Sequence, residues 1–344
     1  MEQAGAALPP PGGRIRPALA FRPAPVPPLA ARPLEPLLVR SGGRRWRIGD
    51  PVFRGLAAGF GLSVVGITLV IALVLFRKSA AARATFGWAF LWTSVWDPVF
   101  LRFGALPLVY GTLATSAIGL ALAVPFGLGA AICLAELLPQ RVADPLTFLI
   151  ELLVAVPSVV YGLVGIFVLV PAMRALTTPI AATFGWIPLL AGPTYGVGML
   201  TAGVILAVMI VPFIVAVSRE VLLAVPQSQR DAALALGATR WETVRQVVLP
   251  YARSGIAGSV VLALARALGE TMAVTMVIGN RPEIAASLFA PAYTMAAVLA
   301  NEFTEATSNL YLSALIEVGL VLFGITLVVN ALARLLIPPE VGRA

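Results

Sequence analysis

The sequence has no histidine, one cysteine and one lysine among its 344 residues. Zinc sites, and enzymes that activate a serine or a cysteine as nucleophile, normally need histidine or clustered cysteines. These absences speak against both classes, and the single Cys133 excludes a disulfide within the chain. The lone Lys78 is not preceded by the glycines of a phosphate-binding loop, so the chain is not expected to be a P-loop ATPase.

Charge is scarce as well. Only 12% of the residues are charged and 59% are hydrophobic, and the mean hydropathy is +0.95, whereas a soluble domain has about 25% charged residues. Most of the net charge of +8 belongs to residues 1–54, which contain nine arginines, three acidic residues and eleven prolines. This composition predicts a disordered cytoplasmic tail that contacts anionic lipid headgroups, and nucleic acid is not expected as a partner.

Beyond this tail, six apolar stretches are each long enough to cross a hydrocarbon core of about 30 Å as a helix. They cover residues 55–76, 108–137, 146–173, 196–217, 255–278 and 310–336. The sequence therefore predicts an all-α membrane domain over 55–337, followed by a short C-terminal tail at 338–344. Pro125 and Pro157 lie inside the second and third stretches, which predicts kinked or broken spans.

The distribution of arginine predicts the orientation in the membrane. The N-terminal tail and the 218–254 loop, which has five arginines, fall on one side of the six spans. The 174–195 and 279–309 loops on the other side have one arginine each. Both termini are therefore expected to be cytoplasmic, in a multi-pass protein of the cell (inner) membrane. The segment 77–107 disagrees, because it is expected outside yet has four basic residues.

Three tryptophans spaced four residues apart, Trp88, Trp92 and Trp96, lie in this external segment. One interpretation is an interfacial helix whose rings lie at the depth of the lipid headgroups. The other is a docking surface for an external partner.

The 218–254 loop contains two patterns that are typical of helix starts. Ser228 with Asp231, and Thr239 with Glu242, have the spacing of N-terminal capping boxes. The sequence therefore predicts two short helices on the cytoplasmic face.

The ends of these two helices are also marked. The first is predicted to end at Gly237, and the second where Leu249 and Pro250 stop it. Ala232 and Ala233 in the first helix are small, so the backbone of a partner can approach closely. The loop is expected to be a compact helix–glycine–helix element.

Charged residues inside the predicted spans need an explanation, because one at a helix centre costs about 2.5–3.5 kcal/mol on insertion scales. Arg266 and Glu270 lie in the fifth span, Glu151 in the third and Glu317 in the sixth. Glu151 and Glu317 are expected to pair with cationic or polar groups of neighbouring spans.

Arg266 and Glu270 are separated by four residues, which places them on one face of a continuous helix. They could form an ion pair that only fixes helix packing. Alternatively, the guanidinium binds a tetrahedral oxyanion as a bidentate ligand, through two hydrogen bonds. The carboxylate would then accept a hydrogen bond from an oxyanion that keeps a proton, as phosphate does at neutral pH and sulfate does not. This hypothesis favours phosphate.

Arg266 also begins a run, Arg-Ala-Leu-Gly-Glu-Thr-Met-Ala-Val-Thr, that resembles the signature of PstC-type permease subunits of phosphate ABC transporters. The resemblance spans roughly 55–336 and does not include the N-terminal tail. Further similar motifs occur in the same order: Phe90-Leu91-Trp92-Thr93, Trp96-Asp97, Tyr110-Gly111-Thr112, Val156-Pro157-Ser158-Val159-Val160-Tyr161-Gly162, Ile278-Gly279-Asn280 and Ala300-Asn301-Glu302-Phe303.

The 218–254 loop carries a second resemblance, to the E-A-A loop of ABC-importer permeases, with aspartate in place of the first glutamate. In that family the loop docks onto the cytoplasmic ATPase, which implies an ATPase-coupling role for the matching residues. These are Ser228, Asp231, Ala232, Ala233, Gly237, Leu249 and Pro250.

The resemblance implies a type I ABC-importer permease with six transmembrane helices and a substrate pathway at Arg266, Glu270 and Thr271. It implies three kinds of protein partner: a second permease of PstA type, two copies of a PstB-type ATPase and an external PstS-type phosphate-binding protein. Membrane lipid is a further expected partner, because of the basic tail. The chain itself is expected to bind no cofactor and no metal and to be no enzyme, because ATP is used by the partner ATPase.

Other functions stay open at this point. The chain could be a permease for another oxyanion, such as sulfate or molybdate, or a membrane scaffold that senses phosphate without transporting it. An intramembrane enzyme is disfavoured, because no histidine is present and no aspartate lies inside a predicted span.

Overall fold

A computed structural model describes residues 49–335 of the chain. The predicted tails at 1–54 and 338–344 therefore lie outside the described residues, apart from 49–54. Those six residues are helical, because the first helix begins at Gly49, and Pro51 is tolerated in a first turn that needs no internal N–H donor. Contacts divide the chain at Gly61 and Leu62, and the packing described below is that of the second unit.

The described residues form thirteen α-helices and one short hairpin. In chain order these are α1 (Gly49–Lys78), α2 (Ala80–Phe86), β1 (Trp96–Asp97), β2 (Arg102–Phe103), α3 (Leu106–Ile132), α4 (Gln140–Ala155), α5 (Ser158–Val164), α6 (Val170–Phe184), α7 (Met199–Leu223), α8 (Gln227–Ala235), α9 (Arg240–Thr243), α10 (Leu249–Leu268), α11 (Met272–Ile278), α12 (Met295–Glu302) and α13 (Asn309–Leu335). Single π-helical turns follow α3, α5 and α9, at Cys133–Leu137, Gly165–Leu169 and Val244–Val248.

Six helical stretches are long and apolar enough to cross a membrane, which confirms the predicted fold class of an all-α protein with six spans. They are Pro51–Lys78, Leu106–Leu137, Ser158–Phe184, Met199–Leu223, Arg240–Leu268 and Asn309–Leu335.

The third span differs from the predicted 146–173. Val156 and Pro157 both have extended backbone dihedral angles and separate α4 from α5. Proline disfavours helical geometry in the residue before it, so the apolar run is divided here. The candidate span begins only at Ser158, and α4 is a separate amphipathic helix.

The fifth span differs from the predicted 255–278 at both ends. It starts at Arg240 and stops at Leu268, so Leu249 and Pro250 do not end a helix as predicted. A π-helical turn at Val244–Val248 directly precedes Leu249 and Pro250. Such a turn changes the hydrogen-bond ladder locally, which allows the helix to continue past a residue without an N–H group.

Helix α7 is the most buried of the six candidate spans, and it packs closely against α3. A Cβ atom on Gly203 would lie 2.3 Å from Cγ2 of Ile118, and one on Gly119 would lie 3.0 Å from Cβ of Leu206. The two glycines let the helix backbones approach, as small residues do in membrane proteins. This pair forms the centre of the packed core.

The β1–β2 hairpin is fixed to the beginning of α13 and the end of α12. The indole N–H of Trp96 and the hydroxyl of Tyr311 both donate to Oε2 of Glu302, at 2.9 and 2.6 Å. The ring of Phe103 stacks on that of Tyr311, with the centroids 5.2 Å apart. The predicted helix through all three tryptophans is therefore wrong at Trp96, which is a buried strand residue.

Candidate functional site

The predicted pathway residues lie at a break between two helices. Helix α10 ends at Leu268, residues 269–271 are not helical, and α11 begins at Met272. Glu270 is therefore not on a helical face with Arg266, and the predicted arrangement of the two charges is wrong. Gly269 follows the last helical residue, and this is where glycine commonly ends a helix.

The two charges do not neutralise each other. Across residues 49–335, none of the ion pairs includes Arg266 or Glu270. The Arg266 side chain is exposed in this single chain, and Glu270 is half-buried. Oε1 of Glu270 accepts a long hydrogen bond of 3.4 Å from the backbone N–H of Ala273. The guanidinium of Arg266 is thus available to an anion.

Helix α5 lies beside this break. A Cβ atom on Gly162 would be 2.3 Å from Sδ of Met276 and 3.3 Å from Cα of Ala273, so only glycine permits this packing on α11 without a shift. Tyr161, the preceding residue, is within electrostatic reach of Arg266, and its hydroxyl donates to the carbonyl of Leu153 at 2.8 Å. Two interrupted helices, broken before α5 and before α11, are therefore packed together.

Thr271 has different surroundings from those of Arg266 and Glu270. It lines an open cavity of about 500 Å³ together with Gly269 and with apolar residues of α12 and α13, and neither Arg266 nor Glu270 lines this cavity. The Thr271 hydroxyl donates to the carbonyl of Gly269 at 3.2 Å. The structure thus brings Thr271 to the break but not into direct contact with Arg266.

The predicted cytoplasmic element is formed by α8 and α9, and only one of its two capping boxes is present. Thr239 and Glu242 form a complete box, with N–H···O distances of 2.7 and 3.3 Å, as predicted. The box at Ser228 is wrong, because Pro226 is the N-cap residue and α8 has no side-chain cap. Oδ1 of Asp231 instead accepts from the side chain of Gln227 inside the helix, at 3.1 Å.

Gly237 ends α8 as predicted. It has a φ of +89°, and the N–H groups of Gly237 and Ala238 donate to the carbonyls of Leu234 and Ala233, which is a glycine C-cap. Next to it, Leu236 is 91% exposed. A depression of about 720 Å³ is lined by four of the predicted coupling residues, namely Ser228, Ala232, Ala233 and Gly237. Leu249 and Pro250 lie in the first turn of α10 instead.

One functional pair was missed by the sequence reasoning. Arg230 of α8 forms an ion pair with Glu136 at the end of the second span, and both side chains are largely buried. Glu136 lies within the predicted stretch 108–137, so it was a further charge inside a predicted span. The signal was present in the sequence, but no pattern connects Glu136 to a residue 94 positions away.

Glu151 and Glu317, the other two acidic residues of the predicted spans, differ in their burial. Glu151 lies on α4, outside the candidate spans, and is exposed. Glu317 is only 6% exposed in α13, and its Oε2 atom has no hydrogen-bond partner within the described part of the chain. None of the ion pairs of residues 49–335 includes Glu317, and the cation that acts on it electrostatically, Arg83, belongs to α2 and not to a neighbouring span.

The chain is similar in sequence to several known proteins. A family model described as "Binding-protein-dependent transport system inner membrane component" matches residues 123–339. The phosphate transport system permease protein PstC of Mesorhizobium japonicum is 47% identical over 296 residues, which are 85% of this chain and 90% of the relative. The protein of the same name from Pasteurella multocida is 44% identical over 83% of this chain and 91% of the relative.

Among solved structures, one chain of the MetNI methionine ABC transporter in an inward-facing conformation is similar. It is 18% identical, and the TM-score is 0.48 over 70% of this chain and 99% of that one.

Proposed function

Because the chain belongs to the family of binding-protein-dependent transport system inner-membrane components, we propose that it is the permease subunit of an ATP-driven importer of inorganic phosphate. The observation that carries this proposal is the similarity to phosphate permeases, at 44–47% identity over at least 83% of the chain. The six candidate spans and the family model together confirm the predicted fold class, an all-α membrane protein of the ABC-importer permease type.

The proposed complex has three kinds of protein partner. A second permease of PstA type completes the translocation pathway, and two copies of a PstB-type ATPase bind the cytoplasmic face. An external PstS-type protein delivers phosphate. The chain holds no cofactor of its own, and ATP is hydrolysed by the partner. The family description, which names binding-protein dependence, supports an external delivery protein.

In the proposed orientation both termini are cytoplasmic. The α8–α9 element then faces the ATPase, and its exposed Leu236 and Trp241 supply apolar contact area. The outer end of the pathway lies near the start of α7, where the N–H of Gly198 donates to the carbonyl of Val277 at 3.0 Å.

The proposed pathway runs past the break between α10 and α11. Interrupted helices are typical of transporter substrate sites, because the freed backbone groups lie against protein or a water-filled cavity. Arg266 supplies a cation without an acidic partner, and its guanidinium suits two hydrogen bonds to one oxyanion. Transport needs binding that is weak enough for release, and one exposed arginine meets this need.

Glu270 acts in this proposal as a filter for protonated oxyanions. Its carboxylate repels a fully ionised tetrahedral anion, whereas it accepts a hydrogen bond from an anion that retains a proton. Phosphate keeps such a proton at neutral pH and sulfate does not. Thr271, in the same non-helical segment, adds a hydroxyl group at the break.

Movement of the ATPase reaches the spans through α8 in the proposed mechanism. ATP binding closes the ATPase dimer and displaces α8, and the pathway opens toward the binding protein. Arg230 ties α8 to the ends of two spans, α3 and α7, so displacement of α8 moves both. ATP hydrolysis then returns the permease to its inward-facing state.

Uptake by the reconstituted complex tests the proposed function. Proteoliposomes with the permease pair, the ATPase and the phosphate-loaded binding protein should accumulate labelled phosphate only when ATP is present. Excess sulfate or molybdate should leave this uptake unchanged. Accumulation of sulfate in place of phosphate would identify a different oxyanion permease, and ATP hydrolysis without uptake of either anion would identify a scaffold.

A further inference from the structure

Arg174 of α6 is the only charged residue between Glu151 and Arg219. Its side chain is exposed. None of the ion pairs within the described range 49–335 includes its guanidinium. A lone cation in an otherwise uncharged stretch of 67 residues calls for a ligand or a functional explanation.

Arg174 lines an open depression of about 550 Å³ on the outer part of the third span. Its polar neighbours there are Thr178, one helical turn further on, and Tyr195 from the segment before α7. The Thr178 hydroxyl lies 2.7 Å from the carbonyl of Arg174 and 3.3 Å from the hydroxyl of Thr194. The remaining lining residues are alanine, valine and proline, so no acidic residue opposes an anion here.

A glycine brings the Tyr195 segment against α6. Gly196 has a φ of +86°, and a Cβ atom there would lie 2.4 Å from the carbonyl oxygen of Val170 and 3.0 Å from Cβ of Arg174. Any other residue would push the segment away from α6, because the first of these contacts is with backbone. The close approach therefore holds Tyr195 beside Arg174, and the geometry is specific to glycine.

The same span connects this depression with the proposed pathway. Arg174 follows Tyr161 by thirteen residues, which is about 20 Å along a helix, and Tyr161 is within electrostatic reach of Arg266. Arg174 lies next to Gly196, close to the start of α7, which is the external end in the proposed orientation. Arg174 is therefore about 20 Å along the third span from Tyr161, the residue of that span that is within electrostatic reach of Arg266 in the fifth span.

We propose that Arg174 and Tyr195, beside Thr178, form an external capture site for the phosphate oxyanion, upstream of Arg266. This inference rests on the proposed function. The guanidinium donates two hydrogen bonds to one oxyanion, and the hydroxyl of Tyr195 can donate a third. Since no carboxylate lines the site, it accepts phosphate in either charge state, and selection for a protonated anion is left to Glu270. The site receives phosphate from the binding protein and keeps it in place until the pathway opens.

The amount of phosphate transported per ATP hydrolysed tests this proposal. The reconstituted complex would be compared as wild type, Arg174→Gln, Arg174→Lys and Tyr195→Phe, at saturating phosphate-loaded binding protein. Arg174→Gln should lower phosphate per ATP about fivefold, as expected for an exposed charge-assisted contact of about 1 kcal/mol. Arg174→Lys should retain more than Arg174→Gln, and Tyr195→Phe should lower the ratio about twofold.

Arg281→Gln is the matched control. Arg281 is also an exposed arginine of an external loop, but it has an acidic neighbour, Glu283, at 3.9 Å. The Arg281→Gln complex should therefore transport as much phosphate per ATP as the wild type does. Wild-type stoichiometry in Arg174→Gln, in a complex that takes up phosphate, would overturn the capture site alone. Absence of uptake by the wild type would overturn the proposed function instead.

Two further measurements distinguish phosphate binding at Arg174 from binding of a lipid headgroup and from a contact with the binding protein. If Arg174 bound a lipid headgroup, the effect of Arg174→Gln would occur in vesicles with phosphatidylglycerol and disappear in pure phosphatidylcholine. We expect the same loss in both. If Arg174 were a docking contact, the substitution would raise the half-saturating concentration of binding protein and leave phosphate per ATP unchanged. Either of these results would overturn the proposal.

Discussion

Arg230 and Glu136 form an ion pair with two hydrogen bonds between the α8–α9 element and the end of the second span. The distances are 2.7 Å from Nη2 to Oε1 and 3.3 Å from Nε to Oε2. The guanidinium also donates to the carbonyls of Leu222 and Val225, at the C-terminal end of α7, the first of these at 2.8 Å. One side chain thus connects α8 with the ends of two spans.

Removal of the acidic partner should destabilise the permease. In Glu136→Gln the buried guanidinium of Arg230 loses its countercharge, and breaking a buried pair in this way costs about 3–5 kcal/mol. We expect a clearly lower melting temperature of the purified permease, measured by a fluorescence-detected thermal scan. ATP hydrolysis by the assembled complex should also become less dependent on transport, because α8 is no longer tied to α3.

Glu220→Gln is the control for this prediction. Glu220 also contacts an arginine, Arg219, at 3.0 Å, but the glutamate side chain is 70% exposed. An exposed pair contributes at most about 1 kcal/mol, so the melting temperature should barely change. Equal effects of Glu136→Gln and Glu220→Gln would contradict the role given to the buried pair.

A methyl group at Gly111 should disturb the packing of α3. A Cβ atom there would lie 2.2 Å from the carbonyl oxygen of Tyr293, and this backbone is held by the hydrogen bond from the N–H of Met295 to the hydroxyl of Thr112, at 2.9 Å. Gly111→Ala should therefore lower the free energy of unfolding by about 1–3 kcal/mol, measured by thermal unfolding in detergent.

The same helix provides the control. A Cβ atom at Gly129 would have no neighbour within 4 Å, and alanine favours a helix by about 0.5–1 kcal/mol over glycine. Gly129→Ala should be neutral or slightly stabilising. Destabilisation by Gly129→Ala that matches Gly111→Ala would mean that close approach to Tyr293 is not the cause.

Loss of the cap at Thr239 should weaken the cytoplasmic element. Thr239→Ala removes the hydroxyl that accepts from the N–H of Glu242, and such a loss costs about 1 kcal/mol of helix stability. In the proposed complex this should lower the affinity of the permease pair for the ATPase, measured by co-purification at increasing salt. Thr239→Ser, which keeps the hydroxyl, should behave as the wild type, and a loss in both variants would rule out the cap as the cause.

Neutralisation of Glu270 should weaken discrimination between oxyanions. The glutamine of Glu270→Gln carries no charge to repel sulfate, so excess sulfate should inhibit labelled phosphate uptake in the variant more than in the wild type. Glu151→Gln, at an exposed position on α4, should leave the inhibition unchanged. A Glu270→Gln variant that resists sulfate as well as the wild type would exclude the filter role.

The sequence predicted the features that depend on local pattern. Long apolar stretches gave the number of spans, and the spacing of Thr239 and Glu242 gave the capping box, because both depend on residues within a few turns. The end of α8 at Gly237 was predictable for the same reason, since a left-handed residue suits glycine.

Features that depend on packing between distant parts of the chain were not predictable from the sequence. Leu249 and Pro250 have the pattern of a helix stop, but a π-helical turn before them lets the helix continue. The break at Gly269 has no proline, and its packing partner, α5, lies about a hundred residues earlier in the chain. The pairing of Arg230 with Glu136 arises only when α8 packs under the second span.

Phosphate uptake by the complex with Arg266→Gln tests the central claim most directly. Charge-assisted hydrogen bonds of a guanidinium are worth about 1.5–3 kcal/mol, so its removal should lower phosphate uptake about 10- to 100-fold. Uptake is measured as ATP-dependent accumulation of labelled phosphate in proteoliposomes. The complex should assemble normally, because Arg266 is exposed and takes part in none of the ion pairs of residues 49–335. Uptake equal to that of the wild type, at equal amounts of assembled complex, would contradict the account.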